Sequence, residues 1–154
     1  MMTTRQCRKA EETDLDFLVE LINGYAQTSI MLPRSRETLQ QQLDTFFIAE
    51  YDGARVGCGA LTRLGPDLVE IRSLGIIDGY KGKGIGSMIV KALMEEAKRQ
   101  GIPKVMALTY EVAFFERNGF EVVNKEIFPE KVWRDCIHCK KQHCCDEIAV
   151  LKRI

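Results

Sequence analysis

The sequence feature that most limits what this chain can fold into is a glycine-rich segment at residues 80–87, which reads YKGKGIGS. It joins a strand-like stretch at residues 70–77 to a helix-like stretch at residues 88–100. Glycines allow main-chain N–H groups to approach an anion without interference from a Cβ atom, and the start of a helix carries partial positive charge. With Lys81 and Lys83 as countercharge, the segment predicts a site for a cofactor that contains a pyrophosphate group.

The spacing of the glycines separates this segment from two common phosphate-binding motifs. A dinucleotide-binding fold requires G-x-G-x-x-G, and a P-loop requires G-x-x-x-x-G-K-S/T; neither spacing is present. The segment resembles the Q/R-x-x-G-x-G/A loop of the GNAT superfamily of N-acetyltransferases, with Lys81 where glutamine or arginine is usual. A glycine-rich turn without a ligand is the alternative interpretation.

Length, composition and charge favour a single domain over residues 1–154 that acts on small molecules. An apolar content of 45% is enough for one hydrophobic core in a chain of 154 residues. The 22 basic and 22 acidic residues balance, which argues against a general affinity for nucleic acid or an anionic membrane. The sequence shows neither a signal peptide nor an apolar run long enough to span a membrane, so we expect a cytoplasmic protein.

The hydrophobic pattern predicts an α/β fold with one mixed central β-sheet and helices on both faces. Helices are expected after Thr13 and Ser35 as N-caps, and at residues 88–100 and 112–118. The Asp52-Gly53 pair predicts a tight hairpin. Strands are expected at residues 6–9, 46–51, 55–61, 68–77, 104–108, 120–125 and 147–151.

A second motif strengthens the resemblance to the GNAT superfamily. Residues 114–120, FFERNGF, are similar to the A-x-x-x-Y-E-K-x-G-F segment of that superfamily. The resemblance implies the GNAT fold over most of the chain and acetyl-CoA as co-substrate. Phe115 stands where many members carry a tyrosine proposed to protonate the CoA thiolate, so the usual general acid is absent or located elsewhere.

The resemblance also implies which residues bind acetyl-CoA. The strand before the glycine-rich segment is expected to open so that its backbone binds the pantetheine arm and the acetyl carbonyl, and Gly75 makes such a distortion inexpensive. The expected cofactor-binding residues are Leu74, Gly75, Ile76, Lys81, Gly82, Lys83, Gly84, Ile85, Gly86, Ser87 and Phe115.

Two residues are candidates for proton transfer. By resemblance to several GNAT enzymes, Glu70 is the candidate base, acting directly or through water; an ion pair with Arg72 on the same strand face is the alternative. Tyr110 is the candidate acid, although a tyrosine at a strand end is more often packed with its hydroxyl satisfied.

The acceptor is suggested by a narrower resemblance. Residues 32–39 (LPRSRETL) and 70–76 (EIRSLGI) resemble the acetyltransferase domain of bacterial N-acetylglutamate synthases, and the tail at residues 128–147 resembles their short single-domain branch. This implies acetylation of L-glutamate in arginine biosynthesis, with Arg34, Lys131 and Arg134 as cations for its two carboxylates. The alternatives are another amino acid, a small amine, a protein N-terminus, or a non-catalytic module that binds acetyl-CoA.

The cysteine-rich segment at residues 128–147 allows two interpretations. Its cysteines, with two interleaved histidines, are enough soft ligands for structural zinc at Cys136, Cys139 and Cys145. Buried or surface thiols are favoured instead, because adjacent Cys144 and Cys145 cannot easily face one ion, and we therefore assign no metal ligands. Expected partners are small molecules, neither nucleic acid nor membrane, and a homodimer is left open.

Overall fold

A seven-stranded mixed β-sheet organises residues 4–27, 35–124 and 148–154, which are the residues that this computed structural model describes. The strand order is β1-β2-β3-β4-β5-β7-β6. The strands are β1 (Arg5–Lys9), β2 (Phe46–Tyr51), β3 (Ala54–Gly65), β4 (Leu68–Ile76), β5 (Lys104–Thr109), β6 (Glu121–Val123) and β7 (Ile148–Arg153). The helices are α1 (Leu15–Gln27), α2 (Arg36–Gln41), α3 (Ile85–Arg99) and α4 (Val112–Arg117).

The directions of the strands make the sheet mixed. β4 and β5 run parallel over Leu68–Glu70, whereas β1 with β2, β2 with β3, β5 with β7 and β6 with β7 are antiparallel. The parallel pair follows from the crossover through α3, since two parallel strands cannot be joined by a tight turn. The predicted α/β class with one mixed sheet is confirmed.

The described residues divide into two compact units. The first comprises the chain up to Leu61 together with Ile71–Glu96, and the second comprises Thr62–Glu70 and the chain from Ala97 onward. The first unit contains the glycine-rich segment, and the second contains α4.

In the first unit, β3 shows why helices cover two faces of the sheet. Successive side chains of a strand point to opposite faces. Cys58 and Ala60 belong to the hydrophobic cluster that includes Leu18 and Ile22 of α1. Gly57 and Gly59, on the opposite face, lie against Ile89 of α3. The predicted placement of helices on both faces is therefore observed in this unit.

The two glycines of β3 allow α3 to lie very close to the sheet. A Cβ atom added at Gly59 would lie 2.7 Å from Cγ2 of Ile89, and one added at Gly57 would lie 2.9 Å from the carbonyl oxygen of Gly75. Contacts this short force a shift of the neighbouring atoms. The absence of side chains at these two positions sets the distance between α3 and the strand beneath it.

The second unit has its own small core. Leu64, Leu68, Met106 and Leu151 form a buried cluster with side chains from β3, β4, β5 and β7. Phe115 of α4 makes edge-to-face contacts with Phe114 and Phe120, at ring-centroid distances of 5.1 and 5.2 Å. The contact with Phe120 joins α4 to the residue before β6 and so stabilises a helix that is too short to be stable by itself.

Several predicted turns and caps are confirmed. Asp52 and Gly53 both have positive φ, 51° and 82°, as a type I′ hairpin turn requires. The Ser35 side chain accepts a hydrogen bond from the Thr38 N–H at 3.1 Å and caps α2. α2 ends at Gln41, and a 3₁₀ turn at Leu43–Thr45 follows.

Two predicted helix starts were wrong. Thr13 is not the N-cap of the first helix; it lies inside a 3₁₀ turn, Glu12–Asp14, that Glu11 precedes. The Asp14 carboxylate accepts a hydrogen bond from the Glu11 N–H at 2.7 Å and so fixes this turn. α3 begins at Ile85 rather than at Met88, because the Met88 N–H already donates to the Gly84 carbonyl at 3.1 Å.

No helix within the described ranges is long and apolar enough to cross a membrane.

Candidate functional site

The connection from β4 to α3 contains the glycine-rich segment at residues 80–87, here called the glycine loop. Gly82 and Gly84 have φ values of 82° and 79°, a region that is inexpensive only for glycine. Residues 81–84 are exposed. The predicted loop is therefore an exposed turn whose backbone conformation depends on glycine.

The end of the glycine loop forms the first turn of α3. Helical hydrogen bonding leaves the first N–H groups of a helix without intrahelical acceptors, and the helix dipole adds partial positive charge there. The first turn of α3 holds Ile85, Gly86 and Ser87, and contains no acidic side chain. This helix start is suited to accept a negatively charged group from outside the chain.

Cations surround the glycine loop. Lys81 Nζ lies 3.7 Å from Asp78 Oδ1, and Lys83 Nζ lies 5.9 Å from the ring centroid of Tyr51. Arg5 of β1 donates a hydrogen bond from Nη1 to the Lys83 carbonyl at 2.8 Å. The sequence identified the two lysines but not Arg5, which lies 78 positions from its partner.

The last part of β4 is distorted one residue before the backbone expected to bind the donor. Ser73 has a φ of 54°, which is uncommon for a residue with a side chain. The buried Cys58 thiol donates to the Ser73 carbonyl, with the sulfur and oxygen 3.2 Å apart. Neither Ser73 nor Cys58 carries a sequence signal that would have identified this distortion, and the expected opening of the strand around Gly75 stays a prediction.

The residues around that distortion occupy the end of β4. Gly75 is buried, while Leu74 and Ile76 are partly buried. The Gly75 carbonyl oxygen faces Gly57 of β3, as the 2.9 Å approach to a Cβ built there shows. Their role in binding a pantetheine arm stays a prediction.

The candidate base Glu70 lies on β4, in register with Met106 of β5. Its side chain is only 2% exposed, which is unusual for a carboxylate. Arg72, named in the alternative interpretation, is partly buried two residues further along. A buried carboxyl group at the end of a strand pairing is compatible with a catalytic role, which stays a prediction.

The candidate acid Tyr110 directly follows β5 and is 43% exposed. The next residue is fixed, because the Glu111 N–H donates to Thr109 Oγ1 at 2.7 Å. Phe115, which stands at the position of the usual acid, is buried in α4 and has no proton to donate. The roles of Tyr110 in proton transfer and of Phe115 in binding the donor stay predictions.

The remaining predicted residues lie outside the described part of the chain. These are the acceptor-site candidates Arg34, Lys131 and Arg134, and the cysteines Cys136, Cys139, Cys144 and Cys145. Among the residues that the structure does describe, no group of three or more His, Cys, Asp or Glu side chains is arranged to hold a metal ion.

Comparison with known proteins gives a consistent family relationship. The acetyltransferase (GNAT) family pattern matches residues 15–120. N-acetyltransferase CT2212 of Chlorobaculum tepidum is 38% identical over 147 residues, covering 96% of this chain and 95% of that protein. The amino-acid acetyltransferase of Mycobacterium tuberculosis is 37% identical over 131 residues, covering 80% of this chain and 75% of that protein.

A solved structure is similar over almost the whole chain. The N-acetylglutamate synthase of Neisseria gonorrhoeae, complexed with coenzyme A and N-acetyl-glutamate, superposes with a TM-score of 0.84 at 25% identity. The match covers 99% of this chain and 36% of that one, so this chain spans about a third of the synthase.

Proposed function

The chain belongs to the acetyltransferase (GNAT) family, and we propose that it transfers the acetyl group of acetyl-CoA to the α-amine of L-glutamate. In this proposal residues 1–154 form one acetyltransferase domain that acts as an N-acetylglutamate synthase in cytoplasmic arginine biosynthesis. The observation that carries the donor half is the exposed glycine loop at the start of α3, which lacks an acidic side chain in its first turn. The acceptor half is supported by the similarity to an amino-acid acetyltransferase and to an N-acetylglutamate synthase.

The glycine loop supplies the contacts that a pyrophosphate needs. Main-chain N–H groups at Ile85, Gly86 and Ser87 are positioned to donate to phosphate oxygens, as at other helix starts. Lys81 and Lys83 add positive charge in solvent-exposed positions. Leu74, Gly75 and Ile76, with the distortion at Ser73 just before them, would bind the pantetheine arm through their backbone groups.

The reaction requires that the acceptor amine loses a proton and that the sulfur leaving group gains one. The neutral amine attacks the acetyl carbonyl carbon, an N–C bond forms, and the C–S bond breaks to release the CoA thiolate. Glu70 would take the amine proton, directly or through water. Because Phe115 cannot supply the proton for the thiolate, Tyr110 is our candidate donor.

Glutamate recognition requires cations for two carboxylates. Guanidinium groups bind carboxylates through two parallel hydrogen bonds, which favours arginine at such a site. Arg34, Lys131 and Arg134 are proposed for this role on the basis of the sequence resemblance.

The release of free CoA thiol tests the proposed reaction. With acetyl-CoA fixed, we expect glutamate to give the highest kcat/KM in a panel of amino acids, polyamines and peptides. Arg34→Ala is expected to raise the KM for glutamate by about tenfold or more, since it removes a charged hydrogen-bonding partner, with little change in the KM for acetyl-CoA. Strong preference for another acceptor would contradict the assignment to glutamate.

The catalytic role of Glu70 can be tested separately. Glu70→Gln is expected to lower kcat by about 100-fold, because general base catalysis is lost, while the Kd for CoA stays within about twofold. Unchanged kcat in a folded variant would exclude Glu70 as the base.

A non-catalytic module that binds acetyl-CoA is the second candidate, favoured by the replacement of the usual tyrosine with Phe115. Calorimetry and turnover distinguish the two. Tight binding of acetyl-CoA without thiol release for any amine in the panel would support the binding module and contradict the enzyme.

A further inference from the structure

The start of β1 makes a specific contact with the glycine loop. Arg5 Nη1 donates to the Lys83 carbonyl oxygen at 2.8 Å. The same nitrogen would lie 3.4 Å from a Cβ atom built at Gly84, so the guanidinium group lies directly against the loop backbone. Arg5 belongs to neither of the two motifs that the sequence identified.

This hydrogen bond determines which way one peptide group of the loop faces. The peptide unit is planar and trans, so its C=O and the N–H of the next residue point in opposite directions. Holding the Lys83 carbonyl toward Arg5 therefore points the Gly84 N–H away from Arg5. Gly84 has a φ of 79° and directly precedes α3, so this N–H belongs to the donors at the helix start.

A second set of contacts attaches the loop to the same place. Tyr51 of β2 is paired with Arg5 in the β1–β2 register. The Tyr51 ring lies under Lys83 Nζ at 5.9 Å and makes an edge-to-face contact with Tyr80, with centroids 5.5 Å apart. Tyr80 and Lys83 of the loop thus both contact Tyr51, and Lys83 also contacts Arg5, which is the strand partner of Tyr51.

The strand pair that carries these contacts is closed by its own hydrogen bonds. The Asp52 N–H donates to the Thr4 carbonyl at 2.7 Å, and the Thr4 N–H donates to Asp52 Oδ1 at 2.8 Å. Arg5 and Tyr51 therefore lie at a fixed end of the antiparallel β1–β2 ladder, which offers a rigid support for an exposed loop.

We propose that Arg5 is a positioning residue for the anion site: it orients the Lys83–Gly84 peptide group so that the Gly84 N–H faces the pyrophosphate of the donor, and it adds a fixed positive charge on the other side of that peptide group. This inference rests on the proposed use of acetyl-CoA. It predicts a specific dependence on the phosphate-bearing part of the donor, because Arg5 contacts the glycine loop at Lys83 and Gly84.

A comparison of two acetyl donors distinguishes this role of Arg5 from general damage to the fold. Acetyl-CoA carries the pyrophosphate, whereas acetyl-pantetheine has the same thioester without it. For Arg5→Ala we expect kcat/KM for acetyl-CoA to fall by about tenfold, the scale of one charged hydrogen bond at an exposed site, and kcat/KM for acetyl-pantetheine to stay within about twofold. The Kd for CoA, measured calorimetrically without an acceptor, should rise by a similar factor.

The chain offers a matched control. Arg63 is also exposed, and it donates from Nε and Nη2 to the Gly65 and Pro66 carbonyls, both at 3.1 Å, at the turn between β3 and β4. Arg63→Ala removes the same charge and the same kind of bond, and is expected to leave the Kd for CoA unchanged. Arg5→Lys keeps the charge without the guanidinium geometry, so an intermediate Kd is expected.

The outcomes are distinct for the two proposals. If Arg5→Ala binds CoA as wild type does, or loses equal activity with both donors, the role of Arg5 is wrong. If wild type itself does not bind CoA, the proposed function fails instead. The calorimetric Kd for CoA does not depend on which amine is the acceptor, because that measurement contains no acceptor.

Discussion

The first unit contains two strand-to-helix connections, β1 to α1 and β4 to α3. They differ in whether the chain supplies a negative charge for the cations and N–H groups near the start of the helix. In the first, the chain supplies its own anion. Asp14 is fully buried, and its carboxylate accepts hydrogen bonds from Arg8 at 2.8 and 2.9 Å, from Arg55 at 2.7 Å and from the Glu11 N–H at 2.7 Å. Two arginines and one backbone N–H thus donate to this single carboxylate.

In the second connection, no acidic side chain lies in the first turn of α3, and the preceding glycines are exposed. The cations Arg5, Lys81 and Lys83 lie around it as Arg8 and Arg55 lie around Asp14. The two connections therefore differ in one respect: Asp14 places a carboxylate of the chain among the cations, whereas the first turn of α3 supplies none. The cations around the glycine loop resemble those around Asp14. In our proposal, the pyrophosphate of the donor supplies the negative charge that the Asp14 carboxylate supplies in the first connection.

The largest expected effect comes from removing the internal anion. Asp14→Asn should destabilise the protein by about 3 kcal/mol, because it leaves Arg8 and Arg55 without their buried counterion. Urea unfolding measures this change. Asp16→Asn is the control, since the side chain of Asp16 is 84% exposed in its pair with Arg36, and a change below about 0.5 kcal/mol is expected. Equal effects of the two substitutions would contradict the comparison.

The second effect comes from giving α3 the anion that it lacks. Ser87→Asp places a carboxylate in the first turn, where it satisfies helix N–H groups and repels a pyrophosphate. We expect the Kd for CoA to rise by about 100-fold while stability increases by about 0.5 kcal/mol. Ser87→Asn has the same shape without the charge and should change the Kd by less than about fivefold. Wild-type affinity in the aspartate variant would mean that the pyrophosphate binds elsewhere.

The third effect is a dependence of stability on pH. The hydrogen bond from Arg8 is the main reason that the pKa of Asp14 falls from 3.8 to about 2. A lowered pKa in the folded state means that the ionised form stabilises the fold, fully above about pH 4, and that this contribution is lost as the pH falls through 2. The loss is about 2 kcal/mol. Urea titrations between pH 5 and 2 should show a steeper decline for wild type than for Asp14→Asn, and parallel curves would contradict the assignment.

The smallest effect concerns an exposed cation of the glycine loop. Lys81→Ala should raise the KM for acetyl-CoA by about threefold at low salt, because a positive charge near the pyrophosphate is lost. The effect is small because the Lys81 side chain is 58% exposed and water screens its charge. The effect should vanish near 1 M salt. Lys91→Ala, on an exposed position of α3, is the control and should have no effect. An effect of Lys81→Ala that persists in high salt would indicate a direct, desolvated contact.

The sequence predicted the features that depend on residues close together along the chain. The Asp52-Gly53 hairpin, the Ser35 cap and the glycine loop each require particular residue types at short spacing, and each is present. The fold class followed from hydrophobic periodicity in the same way. The starts of α1 and α3 were misplaced, because Thr13 looks like a cap and the glycines look like a turn until the hydrogen bonds are known.

Contacts between distant parts of the chain could not be predicted. Arg5 with Lys83, Arg55 with Asp14 and Cys58 with Ser73 join residues separated by 78, 41 and 15 positions. Arg5 and Arg55 have no local pattern that distinguishes them from ordinary surface cations, and Cys58 has none that distinguishes it from an ordinary core thiol. These contacts form because β1, β3 and β4 pack together, and sequence periodicity does not specify that packing.

The glycines at positions 57 and 59 have a consequence for mutational maps of this enzyme. A side chain at either position would displace α3 or the Gly75 carbonyl, and α3 carries the glycine loop at its start. A mutational scan that measures only the affinity for acetyl-CoA would therefore show large losses for substitutions at these two positions in the sheet, even without direct contact between them and acetyl-CoA. On such a map, the footprint of acetyl-CoA would extend well beyond the residues that touch it.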